Sequence, residues 1–191
     1  MRSRLESLAN ELIHEVFDYL SSIDLIQSFC QLNKRFTHLL AQRFLKCDFS
    51  HLSKSQYESI QQILPFHQIQ SLKISNQWTI NLFLRLPIHQ MYSLQNLILS
   101  HINYTDLRGL FESNGLCQQL QTLKIQSTNR NSLDRDRLFV LKRIFSLTNL
   151  RICQIPLIDI HDLDEININT SLEIFRLDHC TITCLGKSTT N

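Results

Sequence analysis

Glycine and proline are both scarce in this chain, with three of each among its 191 residues. Loops that cradle a phosphate need glycines at fixed spacing, because only a backbone without side chains can approach the anion closely. The motifs GxxxxGK, GxGxxG and GxSxG do not occur anywhere in the sequence. Nucleotide binding and a hydrolase-type nucleophile turn therefore have no support.

Long apolar runs are missing as well. No stretch approaches the roughly eighteen consecutive apolar residues that a membrane-spanning helix requires. The first residues, MRSRLESLANELI, contain two arginines but no apolar core of a secretory signal. We therefore expect an intracellular protein, cytoplasmic or nuclear or both, with no membrane partner.

The low net charge disfavours a nucleic-acid-binding protein, and the cysteine spacing disfavours a zinc protein. The formal net charge is only +2, so no global basic field attracts nucleic acid. The cysteines lack the paired close spacings of a zinc site, and without a secretory signal no disulfides are expected. The sequence predicts no metal, no cofactor and no nucleic-acid partner. It predicts scattered buried thiols at Cys30, Cys47, Cys117, Cys153, Cys180 and Cys184.

A repeating pattern dominates the larger part of the chain. Five segments obey the pattern apolar-x-x-apolar-x-apolar: IQSLKI, LQNLIL, LQTLKI, LTNLRI and LEIFRL, which begin at Ile69, Leu94, Leu120, Leu147 and Leu172. Their steps of 25, 26, 27 and 25 residues are typical of leucine-rich repeats, which stack with one parallel strand per repeat. A degenerate copy, FLKCDF, begins at Phe44. The sequence thus predicts an α/β fold in which residues 44–185 form a short solenoid of five clear repeats and one degenerate repeat.

Alternation within each segment predicts which side chains are buried. Leu123 and Ile125 should face the core of the stack, while Lys124 and Gln126 should face outward on the opposite surface. Between two strands, SLDRDRLFVLKRIFSL has the apolar spacing of a helix, with the inner residues Leu138, Leu141, Ile144 and Phe145. Because no repeat can bury its own apolar side, stacking should make one continuous core.

The last copy, LEIFRLDHCTI, places Cys180 where such repeats take Asn or Cys. The sequence that follows Ile182, TCLGKSTTN, is too short and too polar to complete another repeat or to cap the stack. We therefore expect the last core layer to be partly exposed, either in a truncated member or beneath a partner.

Residues 4–42 lie outside the repeat period and are predicted to form a separate unit. Apolar residues at helical spacing, from Leu12 to Leu20, predict a first helix with Asn10 as its N-cap. The stretch SSID, Ser21 to Asp24, has the form of a capping box that opens a second helix. A third helix is predicted to begin after Asn33, with inward residues Phe36, Leu39 and Leu40.

This unit carries more apolar residues than three short helices are expected to enclose. The broad face of the first helix consists of Leu12, Ile13, Val16, Phe17 and Leu20. An apolar face of this kind can dock on another protein, or it can cap the open end of the solenoid. Spacing alone leaves both alternatives open.

The stretch LANELIHEVFDYLSSIDLIQSFCQLNKRF resembles the F-box. Residues that match the family pattern in order and spacing are Leu8, Glu11, Leu12, Val16, Phe17, Tyr19, Leu20, Asp24, Leu25, Lys34, Arg35 and Phe36. Ala9 stands where the family usually has proline, and the interval between Asp24 and NKRF is slightly longer than in the family. Because the missing proline removes a rigid start of the helix, the resemblance predicts a reduced affinity for the partner of this unit.

An F-box followed by leucine-rich repeats is a known family architecture, and the resemblance covers nearly the whole chain. It implies that the F-box binds the Skp-type adaptor, and through it the cullin, of an SCF ubiquitin ligase, while the repeats select the protein substrate. It also implies a protein that performs no catalysis. The adaptor-facing residues that the resemblance implies are Leu8, Leu12, Ile13, Val16, Phe17, Leu20 and Leu25, with Asp24 at the start of the second helix.

The outward position between the last two core residues of each segment is mostly basic. It reads Lys73, Ile98, Lys124, Arg151 and Arg176. Because parallel strands lie about 4.8 Å apart, Lys124, Arg151 and Arg176 are predicted to form a ladder of like charge. Such a ladder favours an acidic or phosphorylated segment as substrate, whereas the alternative is a strand face that is merely solvated. The predicted substrate-binding residues are Lys73, Lys124, Arg151 and Arg176.

The same residues leave one alternative function open and disfavour two others. The chain is alternatively a leucine-rich interaction scaffold whose F-box-like helices only cap the solenoid. Nucleic-acid binding is disfavoured by the low net charge and by the lack of aromatic residues among the basic ones. An enzyme is disfavoured because HEVFD at His14 is not HExxH and no motif places a nucleophile beside a base.

Overall fold

The computed structural model describes residues 5–75, 80–81, 83, 90–114, 119–126, 134–156, 171–177 and 180–183. The outer limits of the two predicted domains, residue 4 and residues 184–185, lie outside this range. The described α-helices are α1 Asn10–Asp18, α2 Ser22–Phe29, α3 Lys34–Ala41, α4 Lys54–Gln61, α5 Tyr104–Asn114 and α6 Asp134–Phe145. The strands are β1 Leu45–Asp48, β2 Ile69–Ile74, β3 Asn96–Ser100, β4 Thr122–Gln126, β5 Ile152–Ile155, β6 Ile174–Leu177 and β7 Cys180–Thr183.

Side-chain caps fix the starts of α2 and α3, the second and third helices of the three-helix unit α1–α3. Ser21 accepts a hydrogen bond from the Asp24 backbone N–H, and Asn33 accepts one from that of Phe36. These bonds satisfy donors that the first helical turn leaves unpaired. Ser21 is thus the N-cap of α2 and α3 begins directly after Asn33, as predicted, while the Asp24 carboxylate accepts a hydrogen bond from the Ser21 hydroxyl. The prediction for α1 is wrong: Ala9 occupies the N-cap position without a capping bond. The side chain of Asn10 instead accepts hydrogen bonds from Arg35.

All seven strands belong to one sheet, in the order in which they occur along the chain. β1 to β6 pair in parallel with their neighbours. Parallel neighbours cannot be joined by a tight turn, so the chain returns through crossover segments, of which α4, α5 and α6 are described. The fold is therefore α/β, as predicted, and one parallel strand per segment in chain order is compatible with an α/β solenoid.

The fourth repeat is out of phase with the prediction. Cys153 of β5 lies beside Leu123 of β4 and Phe175 of β6, so the core segment is LRICQI and begins at Leu150. The predicted segment LTNLRI began three residues earlier, at Leu147. Both overlapping segments satisfy the apolar pattern, and packing selects the one that buries the small Cys153 side chain completely.

The end of the sheet also differs from the prediction. Cys180, which the sequence placed at the Asn or Cys position of the last repeat, begins β7, and this strand pairs antiparallel with β6. This strand covers the edge of β6 that the sequence predicted to be open. In the last described core layer, Leu172 and Phe175 are buried and Leu177 is half-buried. Pairing with β7 satisfies backbone groups at that edge, which an array of parallel repeats would leave unpaired.

The buried apolar side chains form two clusters. The helix cluster lies within α1–α3 and consists of Ile13, Phe17, Leu25, Phe29, Phe36, Leu39 and Leu40. The sheet cluster is larger and combines the inward residues of β1 to β6 with residues of α4, α5 and α6. Helix α2 has one side in each, because Leu25 and Phe29 belong to the helix cluster while Ile23 and Ile26 belong to the sheet cluster.

The crossover helices contribute their apolar residues largely as the spacing predicts. In α6, Leu141, Ile144 and Phe145 are buried, and the Phe145 ring meets the Phe175 ring edge to face at 5.4 Å between centroids. The prediction for Leu138 is wrong because this residue is only half-buried, and Val140 is the fully buried one. The strand residues alternate as predicted, with Leu123 and Ile125 inward.

A buried carboxylate joins α5 to α6. Asp136 accepts hydrogen bonds from Arg108 Nη1 at 2.9 Å and from Thr105 Oγ1 at 3.0 Å. Arg108 also donates to Glu112 at 2.7 Å and lies 5.1 Å from the centroid of the Phe139 ring. The hydrogen bond from Arg108, followed by that from Thr105, holds the pKa of Asp136 below its ordinary value. The ionised carboxylate is therefore the form that the folded state favours.

Asp136→Asn is expected to destabilise the chain in a manner that depends on pH. A carboxylate whose folded-state pKa is depressed stabilises the fold above its unfolded pKa of about 3.9, and this stability is lost as pH falls through the folded pKa. The difference in free energy of unfolding between wild type and Asp136→Asn should therefore be present at neutral pH and shrink below about pH 4. Urea denaturation across this range measures it, with the half-exposed Glu112→Gln as a control expected to show little effect. A difference that is constant with pH would contradict the role of the charge.

Candidate functional site

The predicted adaptor-facing residues separate into two groups. Ile13, Phe17 and Leu25 are buried in the helix cluster, with at most 3% of their surface exposed. Their prediction as contact residues is therefore wrong, because three helices pack only if each contributes side chains to a common core. Leu8 and Val16 are half-buried, and Leu12, Leu20 and Asp24 are exposed. The predicted apolar contact residues that a partner can reach are therefore Leu8, Leu12, Val16 and Leu20.

Apolar residues on α1 and directly after it form one stripe. Leu12 and Val16 lie one turn apart on α1, and Tyr19 and Leu20 follow at the C-terminal end of the helix, at i+7 and i+8 from Leu12. Ile13 and Phe17 occupy the adjacent side, which faces the helix cluster. We call Leu12, Val16, Tyr19 and Leu20 the outer stripe. Tyr19 is 90% exposed and Leu12 46%, so the surface is open to a partner.

A cleft of about 350 Å³ lies beside the outer stripe. Leu20 and Phe44 are among its lining residues, and Phe44 is 65% exposed. Asp18 and Arg43 form an ion pair at the same place, and Arg43 also donates to the backbone oxygen of His14 at 3.3 Å. The cleft therefore combines apolar side chains with one paired charge. The sequence prediction omitted Phe44 and Tyr19 as contact residues, although the i+7 spacing of Tyr19 from Leu12 was a signal that could have identified it.

The segment before α1 is held by one arginine. Arg35 of α3 donates to the backbone oxygens of Glu6 at 2.5 Å and Leu8 at 2.6 Å, and to the Asn10 side chain at 2.9 Å. Asn33 adds a hydrogen bond to the Glu6 carboxylate at 3.1 Å. Hydrogen bonds from a guanidinium are among the stronger ones in proteins. They orient the start of α1 although Ala9 provides no rigid backbone there.

The predicted basic ladder is not continuous. In the observed register Lys124 lies beside Gln154, and Gln154 lies beside Arg176, so Arg151 is not part of this row. Arg151 precedes β5 and forms an ion pair with Glu173 at 3.1 Å. The prediction that Lys124, Arg151 and Arg176 are direct neighbours is therefore wrong, because it assumed the phase of LTNLRI. Lys124 and Arg176 are two strand spacings apart, or about 10 Å.

Lys73 lies in the same row but is paired with a carboxylate. Its Nζ donates to Asp48 on the neighbouring strand β1 at 2.9 Å. Partial burial raises the pKa of Asp48, but hydrogen bonds from Ser50 and Lys73 outweigh it and leave the pKa below its ordinary value. Within the described residues, no ion pair is found for Lys124 or Arg176. Two of the four predicted substrate-binding cations are thus unneutralised in the described part of the chain.

A row of polar residues lies at the N-terminal ends of five strands, β2 to β6. The row, which we call the amide strip, consists of Gln70, the second residue of β2, and of Gln95, Gln121, Arg151 and Glu173, which directly precede β3 to β6. Backbone hydrogen bonds of 2.8 to 2.9 Å join each member to the next, and Gln70 also donates its side-chain amide to Gln95 at 3.0 Å. A cleft of about 500 Å³ opens on the strip and is lined by Gln95, Gln119, Gln121, Asn149 and Arg151. This strip is absent from the predicted site residues, although the residue after the first apolar position is glutamine in three of the five predicted segments.

The side chains of three cysteines, Cys30, Cys47 and Cys153, are described, and none is activated as a nucleophile. Burial raises the pKa of Cys47 and of Cys153 to about 12, so neither is a thiolate at neutral pH. Cys30 is half-buried and its pKa is also raised by desolvation. These three are free thiols, as predicted. Cys117 and Cys184 lie outside the described residues.

Neither a metal-binding cluster nor a membrane-spanning helix is found among the described residues. No group of three or more His, Cys, Asp or Glu residues there is placed to hold a metal ion. No helix in the described ranges has both the length and the apolar composition needed to cross a membrane.

Comparison with known proteins found no matching family model, no similar curated protein and no similar solved structure.

Proposed function

We propose that this chain is the non-catalytic substrate-recognition subunit of an SCF-type cullin ubiquitin ligase. The three-helix unit binds the Skp-type adaptor and through it the cullin, and the outer face of the sheet binds the protein substrate. The observation that carries the proposal is the outer stripe: next to the buried side of α1, it presents the exposed Leu12, Tyr19 and Leu20 and the half-buried Val16. The proposal places the chain in the cytoplasm, the nucleus or both.

The outer stripe supports a partner because its exposure is not explained by packing within the chain. Scattered single apolar residues are common on protein surfaces, whereas contiguous apolar patches mark interaction sites. Tyr19 has almost its whole side chain in solvent, and aromatic residues are enriched at the centres of protein interfaces. The proposed adaptor contacts are Leu8, Leu12, Val16, Tyr19 and Leu20, with Asp24 near them at the start of α2. Ile13, Phe17 and Leu25 support this surface from below.

A second function is favoured by the other side of α2. Ile23 and Ile26 pack into the sheet cluster, and Ser22 Oγ accepts a hydrogen bond of 2.9 Å from the Lys46 backbone N–H on β1. Helix α2 thus covers the first layer of the sheet, as a cap of a repeat array does. In this alternative the chain is an interaction scaffold and the adaptor does not bind. The two functions differ in whether the outer stripe has a partner.

The double variant Leu12→Asp with Tyr19→Asp is expected to weaken binding of the purified chain to a Skp-type adaptor at least tenfold. Both side chains are exposed, so the charges oppose docking without entering the helix cluster. Isothermal titration calorimetry with the purified adaptor measures the loss. Tyr92→Asp is the matched control, because Tyr92 is also an exposed aromatic residue but lies beside His67, outside the three-helix unit.

The outcomes separate the two functions. Binding by wild type and by Tyr92→Asp, with loss in the double variant, supports the ligase subunit. A folded wild type that does not bind the adaptor would overturn the proposal and leave the scaffold function. Equal binding by wild type and the double variant would remove the outer stripe as the contact surface.

A further inference from the structure

The cleft on the amide strip has a distinct chemical character. Of the five residues that line it, four carry primary amides and the fifth is Arg151. The Gln70 amide donates to Gln95 Oε1, so the Gln95 NH₂ group is not used in this bond. Each primary amide both donates and accepts hydrogen bonds. A complementary ligand therefore offers both donors and acceptors.

Several ligand classes do not fit this lining. None of the described residues that line the cleft is aromatic, so a nucleic-acid base would find no ring on which to stack. A phosphate group is best held by clustered cations, whereas Arg151 is the single cation of this lining. A purely apolar ligand would leave the amides without partners. A peptide backbone does fit, because its N–H and C=O groups alternate along the chain.

The dimensions of the cleft agree with a short extended segment. Gln95, Gln121 and Arg151 precede three neighbouring strands, β3, β4 and β5, at spacings of about 4.8 Å. The three positions thus span about 10 Å, which is the length of about three residues of extended chain.

We infer that this cleft binds an extended peptide segment of the substrate through its backbone, with a peptide carboxylate placed on Arg151. That the bound peptide belongs to a substrate rests on the proposed function, whereas the peptide site itself does not. The Glu173 carboxylate marks the place of the ligand carboxylate: it lies 3.1 Å from Arg151 Nε, and more than half of each side chain is exposed. Exposed pairs of this kind exchange partners readily, so a ligand carboxylate can replace Glu173. That carboxylate belongs either to an acidic side chain or to a C-terminus.

The test selects peptides from a library of random decapeptides displayed on phage, with the purified full chain as bait. The tightest binder is synthesised, and its dissociation constant is measured by fluorescence anisotropy. The variant Gln121→Ala with Arg151→Gln is expected to raise this constant at least tenfold. The control variant Gln27→Ala with Arg135→Gln makes the same two changes on exposed residues of α2 and α6, and it should bind as wild type does.

Modified peptides test the backbone and the carboxylate separately. Methylation of a central backbone nitrogen removes one donor and should weaken binding at least tenfold, whereas alanine in place of most side chains should not. Replacing the acidic side chain by its amide, or amidating the free C-terminus, identifies which carboxylate meets Arg151. The inference is overturned if no peptide is enriched, if the cleft variant binds as tightly as the control variant, or if neither carboxylate matters.

Failure of this inference can be told apart from failure of the proposed function. The peptide measurement needs no adaptor, and the adaptor measurement needs no peptide. If the cleft variant retains adaptor binding while losing the peptide, the two surfaces act independently. A chain that binds peptides but no adaptor would keep the peptide site and lose the ligase proposal.

Discussion

Phe17→Ala is expected to lower the free energy of unfolding of the three-helix unit by about 3–5 kcal/mol. Phe17 is 1% exposed, and its ring packs against those of Phe29 and Phe36 at 5.0 and 6.4 Å between centroids. Truncation leaves a cavity that three short helices have little means of filling. Denaturation by urea, followed by circular dichroism of the helices, measures the loss.

The matched variant is Leu12→Ala, five residues earlier on the same helix. Leu12 faces solvent, so its truncation should change stability by no more than about 0.5 kcal/mol. The pair distinguishes residues that build the unit from residues that a partner contacts. Equal destabilisation by both variants would contradict the division of α1 into a buried side and the outer stripe. A substitution at Phe17 is for the same reason unsuitable for testing adaptor binding, since it removes the fold of the surface as well as any contact.

Ile26→Ala is expected to cost about 2–5 kcal/mol and to separate the unfolding of the two clusters. Ile26 is 1% exposed and belongs to the sheet cluster although it lies on α2 of the three-helix unit. It therefore couples the stability of α1–α3 to that of β1. Without this contact, the small three-helix unit should open at lower urea concentration than the sheet, because little of its surface is buried internally.

Hydrogen exchange measured by mass spectrometry follows this separation. In Ile26→Ala, amides of α1, α2 and α3 should exchange faster while those of β3 and β4 keep their protection. Ile152→Ala makes the same substitution on the half-exposed outer face of β5 and should change neither region strongly. Unchanged exchange in the helices of Ile26→Ala would mean that α2 does not depend on the sheet. The scaffold alternative would then lose the contact that favours it.

Local pattern was sufficient for most of the secondary structure. The strands at Ile69 and near Leu97, Leu123 and Phe175 were predicted because the spacing of apolar residues within six positions reports directly on burial in a strand. The cap at Ser21 was predicted for a similar reason, since a capping bond joins residues three apart.

The apolar pattern did not determine the strand position where two overlapping segments satisfied it equally well. LTNLRI and LRICQI overlap, and both satisfy the repeat, but they place Arg151 at different positions. The choice depends on which residues meet Leu123 and Phe175 across the sheet, and this is decided between strands and not within one. The predicted basic ladder assumed that LTNLRI forms the strand segment, and it was wrong for that reason. The antiparallel β7 was missed because a reversal of the chain at the sheet edge has no counterpart in the repeat period.

The sequence by itself determined an α/β chain with a three-helix unit before a series of parallel strands, since apolar periodicity and capping residues act over a few positions. Only the tertiary structure decided which apolar residues of α1 are buried, because Ile13 and Leu12 differ in their neighbours and not in their chemistry. It also brought Gln95, Gln121 and Arg151 to one cleft. These residues are 26 and 30 positions apart in the chain and become neighbours through backbone pairing of stacked strands, which no local pattern encodes.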